Sequence, residues 1–108
     1  MTTIQKDNTV FTVIIEITTE PEYQAELVQL SQGSLDIMAT MEGFLSASLY
    51  RSHDGTKIIR HIHWRNRQDH DNCIKHPRWI EEGRDIKRFI DQGRGNIIMK
   101  TYDSVINL

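Results

Sequence analysis

The tightest constraint on this chain is the run His53-Asp54-Gly55-Thr56-Lys57, set between two strand-like segments. Asp-Gly is a strong hairpin-turn signal, because it tolerates the backbone angles that reverse a strand with the correct twist. The flanking segments 44–50 (FLSASLY) and 58–64 (IIRHIHW) carry the apolar, aromatic and small polar residues of strands. An antiparallel hairpin therefore occupies the middle of the chain, and every other element must be arranged around it.

Upstream, residues 10–17 (VFTVIIEI) are dense in β-branched and aromatic side chains and read as a strand buried over most of its surface. Thr19-Glu20-Pro21-Glu22 then has the spacing of a capping box, with Pro21 in the first turn where a missing N–H costs little. Tyr23, Leu27, Leu30, Ser34, Ile37 or Met38, and Met41 recur every three to four residues, which predicts a helix mildly interrupted at Gly33 and ended by Gly43. Downstream, residues 66–76 predict a short helix broken near Pro77. A second helical stripe follows with Trp79, Gly83, Ile86 and Ile90 on one face, closed by Gly93 and Gly95. The run IIMKTYDSVI predicts a fourth strand and a tail reaching past the domain.

The order strand, helix, strand, strand, helix, strand gives an α+β fold: a ferredoxin-like split βαβ sandwich, with helices on one face of an antiparallel sheet. A single domain over residues 1–108, with its core at about 10–105, is expected. The face away from the helices needs cover, and a second copy of the chain is the simplest source, so a homodimer is expected.

Composition excludes several partners. A net charge of -2 gives no broad attraction for nucleic acid or acidic membranes. The opening MTTIQKDNTV lacks a signal peptide's apolar core, and no run approaches the roughly 18 apolar residues that span a bilayer. The lone Cys73 cannot form an internal disulfide, which fits a cytoplasmic location.

Chemistry concentrates in Arg60-His61-Ile62-His63-Trp64. Alternation puts Ile58, Arg60, Ile62 and Trp64 on one face of the strand, and Ile59, His61 and His63 on the other. Histidines two apart on a strand can converge on a metal, but the sequence offers no third ligand for that face, so partly buried, hydrogen-bonded histidines are expected and no metal. Arg60 has five donors and a permanent charge. It either orients an acidic or phenolate substrate, or it reaches solvent or pairs with a helix carboxylate such as Asp69. Trp64 reads as a core aromatic or a pocket wall. His70, one helical turn from Cys73, is a proton donor or acceptor near neutral pH or an exposed helix histidine. Cys73 alone reads as a small buried residue, His53 as solvated, His76 as loop chemistry, and Trp79 with Ile86 and Ile90 as core. Gly93-Arg94-Gly95-Asn96 follows a helix rather than separating a strand from one, so it is not a phosphate loop.

Gly43-Phe44-Leu45-Ser46-Ala47, followed by Asp54-Gly55-Thr56 and then Trp64, resembles the antibiotic biosynthesis monooxygenase superfamily. Within it, the run is most similar to the small cofactor-independent, quinone-forming enzymes of aromatic polyketide tailoring. The resemblance implies a dimeric α+β barrel whose cavity lies under the helices, with Phe44, Ile62 and Trp64 lining it. The resembled group carries an Asn four residues before that Trp and a Tyr six after it; here Arg60 and His70 stand there. The activity implied is oxygenation of an electron-rich aromatic, such as a phenolate, dihydroquinone or anthrone, with dioxygen as co-substrate and no cofactor. Trp64 would pack on the ring, Arg60 would stabilise developing negative charge, and His70 would move the proton. The rival expectation is a non-catalytic dimeric barrel that binds a small aromatic or acidic metabolite. A haem-degrading oxygenase ranks lower, since it calls for a proximal histidine on the second helix and none falls after His76.

Overall fold

The computed structural model describes residues 10–106; residues 1–9 and 107–108, which the single-domain expectation includes, lie outside the described residues. Strand β1 (Val10–Thr19) leads through a 3-10 turn (Pro21–Tyr23) into helix α1 (Gln24–Met38). The hairpin strands β2 (Phe44–Arg51) and β3 (Lys57–Trp64) follow. Three short helices, α2 (Arg67–Ile74), α3 (Pro77–Glu82) and α4 (Arg84–Asp91), then precede β4 (Gly95–Ser104). The strands form one sheet in the order β2-β3-β1-β4 with every neighbouring pair antiparallel. That order is the expected ferredoxin-like arrangement.

Alternation on the two central strands positions the core. Phe11, Val13, Ile15 and Ile17 of β1 stand opposite Trp64, Ile62, Arg60 and Ile58 of β3, and all eight are buried under the helices. Leu27 and Met38 of α1, Cys73 of α2 and Phe89 of α4 close over them. Each fully buried aliphatic or aromatic side chain here contributes about 1.5–3 kcal/mol relative to exposure. The opposite face carries Ile14, Ile59, His61, His63, Ile98, Lys100 and Tyr102 in register. No described helix lies over it. Strand β4 is an edge, with Ile97, Ile98, Met99 and Tyr102 all about half exposed. Among the described residues no helix is long and apolar enough to cross a membrane.

Three local expectations are corrected. The capping box does not form: Thr19 is still strand, its N–H donating to Thr56 O at 2.8 Å and its Oγ1 to Arg94 O at 2.7 Å, so its hydroxyl is committed before the helix begins. The chain enters α1 through the Pro21 turn, with Glu20 at the cap position and no side-chain cap bond. Helix α1 runs unbroken through Gly33 and ends at Met38, short of Gly43. The missing Cβ of Gly33 lets the Glu82 carboxylate of α3 lie against α1. The second helical stripe splits at Gly83, which ends α3 and starts α4.

The hairpin connection is longer than a two-residue turn, with Ser52 N donating to Lys57 O at 2.9 Å. Asp54 organises it: its Oδ1 accepts from Ser52 Oγ at 2.7 Å, Thr56 N at 3.0 Å and Thr56 Oγ1 at 2.7 Å. Gly55 takes a φ of +81°, which a side chain would oppose.

Candidate active site

Arg60 sits mid-strand on β3, aimed under the helices and only 3% exposed. One terminal nitrogen donates to Ser34 Oγ of α1 over a long 3.4 Å, and Nε has no partner at all. Among the described residues no carboxylate pairs with it. The expected alternative partner, Asp69, is already held by Arg65, whose Nε and Nη2 reach its two oxygens at 2.8 and 3.1 Å. Arg65 wins because it stands one helical turn before Asp69, while Asn66, capping α2, accepts from Asp69 N at 2.8 Å. Gly43, at a φ of +83°, passes so close to the Asp69 carboxylate that a Cβ would overlap it.

Burial pushes the Arg60 guanidinium down to about 10, which still leaves it charged at neutral pH. Cys73 feels its charge, but burial pushes that thiol up to about 11 against the pull of Arg60, so it is neutral and no counterion. Arg60 is thus a buried cation without an anion. It lines a cavity of about 400 Å³ between the sheet, α1 and the α3–α4 corner, walled by Ile15, Trp79, Ile86 and Ile90. That size is in the range of small-molecule sites. At the mouth, Lys87 Nζ and Asp91 Oδ2 pair at 2.8 Å.

Trp64 and His70 belong to a second cluster. Trp64 is wholly buried, edge-on to Phe44 at 5.7 Å and to His70 at 6.1 Å, and His70 packs on Phe11 at 5.3 Å. His70 is itself buried, with Nδ1 3.2 Å from Asp71 Oδ1. The Trp64 indole nitrogen has no acceptor. Neither residue lines the Arg60 cavity. A strand rises about 3.3 Å per residue, so four residues separate the Arg60 and Trp64 backbones by about 13 Å. Ile62, buried in the core, fills the interval. Phe44 lines a different groove with Leu35, Ala47 and Leu49. The structure therefore joins Trp64, His70 and Phe44, and sets Arg60 apart from them.

On the uncovered face, the His61 and His63 rings are 4.6 Å apart, and His63 Nδ1 lies 3.1 Å from Thr12 Oγ1, which also pairs with the Ser104 hydroxyl. Among the described residues no three His, Cys, Asp or Glu side chains converge as metal ligands. His76 caps α3, its Nδ1 accepting from Arg78 N at 3.1 Å. Trp79 packs against the hydrophobic core, as its helical stripe implies. It lines the Arg60 cavity, and its indole nitrogen also lacks an acceptor. The Trp79, Gly83, Ile86, Ile90 stripe was the available signal, since it forms the cavity wall.

A ferredoxin-like sheet with a ligand-sized, arginine-bearing cavity under its helices defines a class of small α+β proteins that bind or transform small molecules. The family model described as antibiotic biosynthesis monooxygenase matches residues 10–81, and the chain belongs to that family. The chain is 34% identical over 70 residues to tetracenomycin-F1 monooxygenase of Streptomyces glaucescens. That match covers 64% of this chain and 62% of the relative. Among solved structures, SnoaB of Streptomyces nogalater, described as a cofactor-independent oxygenase, superposes with a TM-score of 0.77 at 14% identity, covering 93% of this chain and 97% of its own. Rv0793 of Mycobacterium tuberculosis gives a TM-score of 0.73 at 17% identity, covering 91% and 97%. At these identities the two structures speak for the fold.

Proposed function

We propose that this chain is a monooxygenase that binds an electron-rich aromatic substrate in the Arg60 cavity and lets it react with dioxygen without metal or flavin. The observation that carries the reading is the buried, unpaired guanidinium in an apolar cavity. An isolated charge costs several kcal/mol to bury, and an anionic ligand would offset that cost. Apolar walls suit an aromatic ring, and the arginine suits an ionised hydroxyl or enolate on it.

Dioxygen reacts sluggishly with closed-shell molecules, but an electron-rich carbanion or phenolate can pass it one electron. The protein then need only favour the ionised substrate, orient it and exclude water. For an anthrone-like substrate, a ring CH2 loses both hydrogens and gains one oxygen as a carbonyl, while the second oxygen leaves as water. Arg60 stabilises the oxyanion before transfer and the peroxide charge after it. Trp64 and His70 are proposed as positioning residues: their packing with Phe44 and Phe11 anchors the end of the strand that carries Arg60. The family and the cofactor-independent description of SnoaB support this reading. A second copy covering the exposed sheet face completes the proposed homodimer.

The test is oxygen uptake by chelator-treated protein over a panel of anthrones and dihydroquinones, with Arg60→Met alongside. Uptake that falls at least tenfold in the variant is the expected result. No uptake on any compound, from folded protein that aromatic anions nonetheless raise in melting temperature, would replace the enzyme with the second reading, an anion-binding dimer. The same unpaired arginine favours that second reading.

A further inference from the structure

The Arg60 cavity differs at its two ends. Arg60, Ser34, Ile15 and Ile86 are buried, whereas Ile80, Ile97 and Met99, which line the same cavity, are each about half exposed. The unpaired charge therefore lies at the closed end, and the open end is apolar. Strand register gives the direction between them. Arg60 of β3 stands opposite Ile15 of β1, and Ile15 stands opposite Met99 of β4, so these residues share one row on the helix side of the sheet. The row of Ile58, Ile17 and Ile97 runs beside it. Two interstrand spacings set the Arg60 and Met99 backbones about 10 Å apart. Because β4 is the sheet edge, the row runs out at the molecular surface. The other charged side chains along the cavity, Lys87 and Asp91, offset one another at 2.8 Å.

We propose that the ligand enters anion first, its oxyanion on Arg60 and its far end leaving the cavity over Met99, Ile97 and Ile80, so that the β4 edge selects elongated aromatic oxygen acids with bare hydrocarbon opposite the oxyanion. This rests on reading the cavity as the ligand site, and turnover is no part of it. The reverse orientation mismatches both ends: hydrocarbon would meet a buried guanidinium that has no anion, and the ligand's charge would meet the apolar rim. A polar group at the far end would shed part of its water onto apolar side chains and gain no partner. The oxyanion is a carboxylate or an ionised ring hydroxyl, and both meet a guanidinium in the same way.

The experiment is anaerobic calorimetric titration of the full chain and of Met99→Thr with 4-alkylbenzoates and 4-alkylphenols carrying methyl, propyl or hexyl groups. Threonine keeps a strand-forming side chain at an exposed edge position and removes the apolar reach. We expect affinity to rise by up to about fourfold for each CH2 that leaves water, the equivalent of about 0.8 kcal/mol, and the hexyl-to-methyl affinity ratio to fall at least roughly threefold in Met99→Thr. Length dependence in the benzoates alone identifies a carboxylate ligand, and in the phenols alone an ionised hydroxyl. A second readout needs no variant: the terminal ring of 4-benzylbenzoate should shift the methyl resonance of Met99 and leave that of buried Met38 in place. A series flat in chain length, a ratio unchanged in Met99→Thr, or an unmoved Met99 methyl would each overturn the proposal while the cavity stays a ligand site. No binding of any probe to the unaltered chain would overturn both. Because dioxygen is absent, length-selective binding with no later oxygen uptake would defeat the monooxygenase reading alone.

Discussion

At the scale of single residues, Arg60 decides most. Its orientation was legible in two steps, because strand alternation places it on one face with Trp64 and the family resemblance puts that face under the helices; the burial pattern of β3 follows that alternation throughout. Its lack of a partner was not legible, since that depends on Asp69 being captured by Arg65. The i, i+4 spacing of Arg65 and Asp69 was in the sequence all along, but a spacing ranks no competitor until the helix start is known. A buried cation kept for ligand binding should cost stability in the free protein. Arg60→Met is therefore expected to raise the melting temperature by several degrees while abolishing the stabilisation that aromatic anions give the parent chain. Differential scanning with and without 1-naphthoate reads both effects. A melting temperature that falls instead would mean the guanidinium has a stabilising partner.

Elements show where local chemistry gave way to tertiary demands. The strands came through, since β-branched alternation and an Asp-Gly loop carry the information locally. The start of α1 did not, because Thr19 spends its hydroxyl on Arg94 across the fold, a contact no local pattern announces. The two glycines of the first helical region sort in the same way. At Gly33 an added Cβ meets only the movable end of Glu82, so Gly33→Ala should stabilise by about 0.5–1 kcal/mol through helix propensity. At Gly43 the positive φ and the Asp69 carboxylate both oppose a side chain, so Gly43→Ala should cost about 1–3 kcal/mol. Paired denaturant melts separate the two signs. The hairpin loop adds an acid-sensitive term. Bonds from Thr56 and Ser52 hold the Asp54 carboxyl at about 2, below the ordinary 3.8. Its stabilisation is therefore complete above about pH 4 and lost as pH falls through 2. Asp54→Asn should flatten that acid limb of a melting-temperature profile, and an unchanged limb would place the acid sensitivity elsewhere.

For the whole molecule, one sheet face is filled by helices and the other is not, and a homodimer would bury Ile14, Ile59 and Ile98 there. That requirement was legible from two helices and four strands, which can cover only one side of the sheet. The consequences for His61 and His63 needed coordinates. Their rings stand 4.6 Å apart on that face, and burial, with His61 beside it, pushes His63 below its usual range. A histidine depressed in the folded state stabilises above its ordinary value of 6.5, and that contribution drains away as pH falls below it. The other charges of the face do not compensate: Glu16 is held by Lys57 at 3.2 Å, and Lys100, across β1 from His61, adds positive charge. Closing a second copy over the face removes solvent and deepens the penalty for a protonated pair. Sedimentation velocity should therefore show a dimer at pH 8 that loosens toward monomer near pH 5.5, while His63→Gln stays dimeric at both. A dimer equally tight at the two pH values would mean that the partner copy sits elsewhere, and the histidine face would then be free surface.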